Sequence, residues 1–278
     1  MPAATLGCPC GERHLVPAFA YTERPDGEVA FPLVGAYRRE YQRCTLCEHW
    51  FSRRAMDVAA IYDGAYVDAT YGAGLRRSYE RIMALPAERS DNLGRVAAVR
   101  LFAERRFGAA RAAPRLLDVG AGLGVFPARM KEAGWRCTAL DPDPRAAAHA
   151  SEIVGVAAVT GDFRALAGRL GVFDVISFNK VLEHVEDPVA MLAASRPLVA
   201  DGGFVYIELP DVAAAGDGKE REEFFIEHHH VFSPASVGLL ATRAGFRILA
   251  LEALREPSGK YTLRAFLEPS SRETASSP

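Results

Sequence analysis

LLDVGAGLG, residues 116–124, passes from a short apolar run into three glycines and then into a helical pattern that begins near Val125. An apolar run of this length bounded by turn residues reads as a buried strand. Glycine at a strand-to-helix junction lets the backbone come close to a ligand, although the same residues also suit a turn with no ligand at all. The glycines stand at G-x-G-x-G, positions 120, 122 and 124, whereas dinucleotide-binding turns use G-x-G-x-x-G. That spacing disfavours an NAD-dependent oxidoreductase. Asp118 ends the strand just before the first glycine, where a carboxylate repels a pyrophosphate and suits a cation. S-adenosylmethionine carries a sulfonium and an α-ammonium and no phosphate, so the local charge favours it over NAD.

Outward from this turn, short β-rich runs alternate with Ala-rich helical ones: RLLDV, RCTALD, VAAVT, FDVISF and FVYIEL. The alternation predicts parallel strands with crossover helices on both faces. After PASVGLLATRAG come FRILALEALRE and KYTLRAFLE, separated by the turn-like PSG, a hairpin that would add an antiparallel strand to the parallel sheet. Upstream, residues 56–111 are rich in Ala, Arg and Tyr. Val96, Val99 and Phe102, flanked by Leu93 and Phe107, stand at helical spacing. The first 55 residues contain RPDGE between LVPAFAY and VAFPLVG, which is hairpin composition too small for a core of its own. The tail PSSRETASSP is polar and reads as disordered. No internal repeat is visible.

At 278 residues the chain can hold one main domain and a small accessory. Its net charge of −2 offers no basic field to nucleic acid or an anionic membrane. No segment is apolar for the roughly 18 residues that a membrane span needs, and the N-terminus lacks the apolar run of a signal peptide. A cytoplasmic protein with a small-molecule partner, no nucleic acid and no membrane association is the expectation. Oligomeric state is left open by the sequence.

On the residues quoted, the stretch from about 90 to 268 resembles a class I S-adenosylmethionine-dependent methyltransferase. Asp118, Gly120, Gly122 and Gly124 match that family's first motif. The resemblance implies a Rossmann-like α/β fold: a seven-stranded, mostly parallel sheet whose last strand is antiparallel, with helices on both faces. It further implies that Asp141, followed by Pro142, holds the ribose hydroxyls, and that Asp162 accepts from the adenine amino group with Phe163 against the ring. Asn179 and Lys180 would lie near the methionine portion, with Glu183 and His184 starting the next helix beside the methyl group. Each of these positions also fits an ordinary turn or packing residue.

Cys44 and Cys47 have the spacing of a zinc knuckle, and Cys8 with Cys10 makes a shorter pair ahead of Gly11. In a reducing compartment such pairs suggest metal before disulfide. A closed, structural Zn2+ site on all four thiolates of a zinc-ribbon-like module is the expectation, with free thiols, or His14 or His49 replacing one sulfur, as alternatives. Cys137 lies within a strand and reads as a small buried residue. The combination is similar to bacterial methyltransferases of deoxysugars and other secondary metabolites, from which this chain departs by ending soon after its last strand.

EHHHVFSP, Glu227–Pro234, follows the fifth strand of the predicted sheet, on the side where open sheets bind ligands. It resembles the EH-x-H-aromatic-aromatic-Ser segment of the same methyltransferases, with Val231 departing from the first aromatic. In extended chain His228 and His230 share one side and His229 faces the other. His228 and His230, then His184, are the candidate general bases, because imidazole suits proton acceptance near neutral pH. Histidines bonding only loop backbone are the structural alternative. A metal on these consecutive residues and Glu227 is disfavoured. Asn92 and Arg95 in LPAERSDNLGR are possible contacts to the cofactor carboxylate or the substrate, and Tyr62, Tyr66 and Tyr71 possible pocket residues.

The expected organisation is a zinc-binding module at 1–55, a helical linker or lid at 56–112, a catalytic domain at 113–268 and a disordered tail at 269–278. The expected function is methyl transfer to a small polar metabolite (a sugar, nucleotide-sugar or natural-product intermediate), at oxygen. An N- or C-methyltransferase of the same fold, or a non-catalytic methyltransferase-like binding protein, is the alternative.

Overall fold

The computed structural model describes residues 8–11, 14–31, 35–54, 74–108, 111 and 113–270. Tyr62, Tyr66, Tyr71 and the tail from residue 271 lie outside the described residues. Strands β1 (Leu15–Tyr21), β2 (Arg39–Cys44) and β3 (Trp50–Arg54) form an antiparallel ribbon. Its fourth strand comes from far along the chain: β9 (His230–Val231) pairs with β3, setting Trp50 opposite Val231 and Phe51 opposite His230. The ribbon's apolar cluster is shared in the same way, with Tyr21, Tyr41 and Trp50 packing on Ala214, Phe224 and Val231. A unit this small buries too little surface by itself and borrows the remainder from its neighbour.

The second sheet contains β4 (Arg115–Val119), β5 (Arg136–Asp141), β6 (Ala157–Thr160), β7 (Phe173–Asn179), β8 (Val199–Pro210), β10 (Phe246–Arg255) and β11 (Tyr261–Pro269), in the order β10-β11-β8-β7-β4-β5-β6. β4 through β8 run parallel, and β11 is antiparallel to both β8 and β10. This is the Rossmann-like sheet with one reversed strand that the sequence predicts.

Alternation within the strands sends neighbouring residues to opposite faces. Leu116, Val175, Phe204 and Tyr206 join one cluster, whereas Leu117, Ile176, Val205 and Ile207 join the other. Helices α1 (Leu75–Met83), α2 (Asp91–Phe107) and α3 (Val125–Glu132) contribute to the first cluster, which includes Val96, Val99 and Phe126. Phe102 of α2 stacks on Phe266 at 4.1 Å. Helix α4 (Pro144–His149) follows β5, and α5 (Phe163–Leu166), α6 (Pro188–Ala194) and α7 (Pro234–Arg243) serve the second cluster through residues such as Phe163, Leu192 and Leu240. Each such buried Leu or Phe contributes about 1.5–3 kcal/mol.

Two local expectations are corrected. The partner of β1 is Arg39–Cys44, and the described part of VAFPLVG, Val29–Phe31 and Gly35, is in no strand. Glu28 draws this loop inward by accepting from Arg39 Nη2 at 2.7 Å and from the Ile226 backbone at 2.6 Å. Glu183 and His184 do not start a helix. They form a 3-10 turn, Leu182–His184, and α6 begins at Pro188 with Asp187 as its cap.

Candidate functional site

A cleft of about 1080 Å³ opens beyond the carboxyl ends of β4, β5 and β7, where open parallel sheets bind their ligands. The glycine turn forms its floor. Gly120 takes φ +68°, and a Cβ there would stand 2.7 Å from Val181 Cγ2, so any side chain is excluded by both torsion and space. Gly122 also has positive φ, but the space beside it is open, toward the cleft.

Asp118, Gly120, Gly122, Gly124, Asp141, Pro142, Asp162, Phe163, Asn179 and Lys180 all line this cleft. Asp118 is buried and accepts from Ser177 Oγ at 2.6 Å and Asn179 Nδ2 at 2.7 Å. Burial outweighs these bonds and pushes its carboxyl up to about 7. Asp141 accepts from the backbone of Gly122 at 2.8 Å and of Asp143 at 2.9 Å, which clamps the glycine turn to the next strand. Burial raises this carboxyl also. Asp162 caps α5 by accepting from the Ala165 N–H, and Phe163 is set edge-on against Phe178 at 5.6 Å.

Behind this floor lies a buried ion-pair network. Arg95, from α2, donates its Nε to Glu208 Oε2 at 2.8 Å and its Nη1 to Asn92 Oδ1 at 2.9 Å. Burial pushes the Glu208 carboxyl up, but the Arg95 guanidinium outweighs it and holds the group at about 2. Arg95 is thus committed to Glu208, while it and Asn92 still border the cleft. Lys180 adopts φ +58°, a left-handed conformation costly for a residue with a side chain. Its N–H donates to Glu208 O at 3.1 Å and its Nζ to Thr262 Oγ1 at 2.7 Å. Asn179 Oδ1 is buried without a hydrogen-bond partner, an acceptor that an ammonium donor entering the cleft would satisfy. Acidic strand ends, a glycine floor and this orphan acceptor fit the cationic cofactor that the sequence suggests.

The other end of the cleft is histidine-lined. His184 and His228 stand edge to face with ring centroids 4.8 Å apart. His184 Nδ1 lies 3.1 Å from Glu227 O and His228 Nδ1 2.9 Å from Glu223 O. A carbonyl can only accept, so each Nδ1 carries the proton and each Nε2 the lone pair. Burial holds the His184 imidazole down at about 4 and that of His228 well below its usual range. Both rings are therefore neutral near pH 7.

His230 does not line the cleft. The chain bends at His229, so the alternation expected of an extended segment fails. His230 Nδ1 meets His49 Nε2 at 3.0 Å, and its Nε2 donates to Glu186 O at 3.4 Å. His49 Nδ1 in turn faces Ser236 Oγ at 3.2 Å. This fully buried pair joins β3 to β9 and α7 rather than presenting a base.

Cys8, Cys10, Cys44 and Cys47 come together, with ligand atoms all within 4.8 Å of one another. Sγ separations are 3.0 Å for Cys8–Cys10 and Cys8–Cys47, and 3.7 Å for Cys10–Cys44. A tetrahedral zinc with bonds of about 2.3 Å spaces its sulfurs by about 3.8 Å, so the four thiols fit such an ion after slight expansion. The cluster docks on α7: Arg243 donates to Cys8 O at 3.3 Å, Ser233 Oγ donates to Cys47 O, and Leu239 packs alongside. His49 is engaged elsewhere, as described. Cys137 is buried within β5.

The sequence assigned no cleft role to Gly27 and Val29, which bring the N-terminal ribbon to the cleft wall, and it placed Glu183 beside the methyl group without showing that the carboxylate is fully buried.

The methyltransferase domain family matches residues 90–251. Ubiquinone biosynthesis O-methyltransferase from Caulobacter sp. (strain K31) is 36% identical over 100 residues, 34% of this chain and 39% of that protein. Its namesake from Caulobacter vibrioides is 36% identical over 126 residues, 41% of this chain and 50% of that protein. The chain thus spans half or less of the length of these curated relatives. Magnesium protoporphyrin IX methyltransferase from Synechocystis PCC 6803, crystallised with bound SAH, superimposes with a TM-score of 0.55 at 16% identity, covering 75% of this chain and 99% of that one, a likeness of fold.

Proposed function

We propose, from the premise that this chain belongs to the methyltransferase domain family, that it moves a methyl group from S-adenosylmethionine to an oxygen of a small polar metabolite. The observation that carries this reading is one cleft with an acidic glycine floor at one end and two neutral imidazoles at the other. The relatives named as O-methyltransferases favour oxygen as the acceptor atom. A sugar, a nucleotide-sugar and a natural-product intermediate are the acceptor classes in view.

The bound cofactor supplies an electrophilic methyl on a sulfonium, so the protein chiefly has to align the acceptor with it. Asp118 and Asp141 provide negative charge at the cofactor end, and Asn179 Oδ1 an acceptor for its ammonium. The strained Lys180 backbone fixes the loop that leads to Glu183 and His184. As the acceptor oxygen takes the methyl, its proton passes to His228 Nε2, with His184 alongside as the second site. The four cysteines would hold a zinc whose contribution is stability alone, leaving no open position for chemistry.

Calorimetry with S-adenosylmethionine and with NAD tests the cofactor: heat of binding is expected from the first and none from the second. Product formation across a panel of hydroxylated metabolites and sugar nucleotides then tests turnover. Absence of S-adenosylmethionine binding overturns the reading.

A further inference from the structure

We infer that Glu183, His184 and His228 form a binding site for a divalent first-row transition-metal ion, separate from the cysteine cluster. One ligand atom from each lies within 4.8 Å of the others. Metal bonds to imidazole nitrogen and carboxylate oxygen run about 2.0–2.2 Å, so a shift of about half an ångström per group closes the set around an ion.

Two further observations point to a cation. Glu183 is fully buried, and neither of its carboxylate oxygens has a hydrogen-bond partner. A buried carboxylate is stable when paired or coordinating a metal. The imidazoles are also oriented as ligands usually are. Each gives its Nδ1 proton to a backbone carbonyl, Glu227 O and Glu223 O, which fixes the tautomer with the lone pair on Nε2. One ligand atom of each residue thus lies close to the others, and a cation among them would pair with the buried Glu183 carboxylate. Two imidazoles and one carboxylate suit Zn2+, Co2+ or Fe2+.

All three residues line the cleft, so the remaining coordination positions face the acceptor. The catalytic consequence rests on the methyl-transfer reading, while the binding does not. A hydroxyl ligated there loses its proton to bulk water and remains on the ion as an oxyanion. The two imidazoles then act as ligands, replacing the proton-accepting role given to them above.

Co2+ is the probe, added to the full chain stripped of metal. The first equivalent should enter the cysteines and give intense near-ultraviolet thiolate charge transfer. The second should give weak visible bands with no added thiolate absorption. E183Q and H228Q should weaken the second equivalent by more than about tenfold and leave the first unchanged, which also verifies folding. Failure to bind a second equivalent at millimolar Co2+, or equal binding by both variants, overturns the site. Calorimetry with S-adenosylmethionine on the same samples separates the two readings. Cobalt bound in the cleft without cofactor binding overturns methyl transfer and supports the metal site. Full turnover with only the cysteine ion present supports methyl transfer and overturns the catalytic role of the cleft ion.

Discussion

The two ends of the cleft are built by different means. At the glycine end, the polar groups come from successive strand ends and bond to one another: Asp141 holds Gly122, and Asp118 holds Ser177 and Asn179. At the histidine end, the turn after β7 meets a segment from beyond β8, and the N-terminal ribbon supports both. Tyr41 donates to His228 O at 2.9 Å, and the Ser52 N–H to His229 O at 2.9 Å. The sheet fixes the first end; loops attached to it fix the second, and that is where members of one fold differ in chemistry. Each end keeps a buried acceptor group without a hydrogen-bond donor, Asn179 Oδ1 at the first and the Glu183 carboxylate at the second.

Substitutions that touch one end only would break this division if both ends responded. The largest effect is expected at the histidine end: H228Q should lower turnover by about 10²–10⁴-fold with S-adenosylmethionine affinity nearly unchanged, as read by steady-state kinetics and calorimetry. At the glycine end, G120A forces a side chain into a positive-φ position against Val181. It should cost about 1–3 kcal/mol, read as weaker cofactor binding and a lower midpoint of thermal unfolding.

A smaller effect is expected from pH. Burial raises the Asp118 carboxyl to about 7 in the fold, against about 3.9 in an unfolded chain. The folded state therefore binds the proton more readily, and this group's contribution to stability falls as pH rises from about 4 through 7. A cationic ligand reverses the preference. Cofactor affinity should rise by up to about tenfold between pH 6 and pH 8, and D118N should flatten that dependence in calorimetry. The smallest effect sharpens the role of the support: S233A removes the cap of α7, where Ser233 and Ser236 bond reciprocally. It should cost about 1 kcal/mol in thermal unfolding and leave cofactor affinity intact.

This division also explains what could be read from the sequence. LLDVGAGLG and the alternating runs after it are local patterns, with each strand next to the helix that covers it, and the reversed strand β11 was signalled by the hairpin around PSG. The pairing of β3 with β9 had no such signal, because two residues near position 230 complete a sheet formed by the first 54. His230 resembled His228 in sequence, yet a bend at His229 sent it to His49. Burial decided Glu183 as well: nothing in VLEHVEDP distinguishes a carboxylate enclosed in the protein from one in water.

The pairing of β3 with β9 also sets an order of assembly. During synthesis the ribbon emerges first, with the edge of β3 unpaired and Tyr41 and Trp50 lacking their partners. An uncovered strand edge is open to pairing with other chains. That edge stays open until residue 231 has left the ribosome, roughly ten seconds or more after the ribbon at about 5–20 residues per second. Closing the ribbon is thus among the last long-range steps, and it coincides with the arrival of His228 in the cleft.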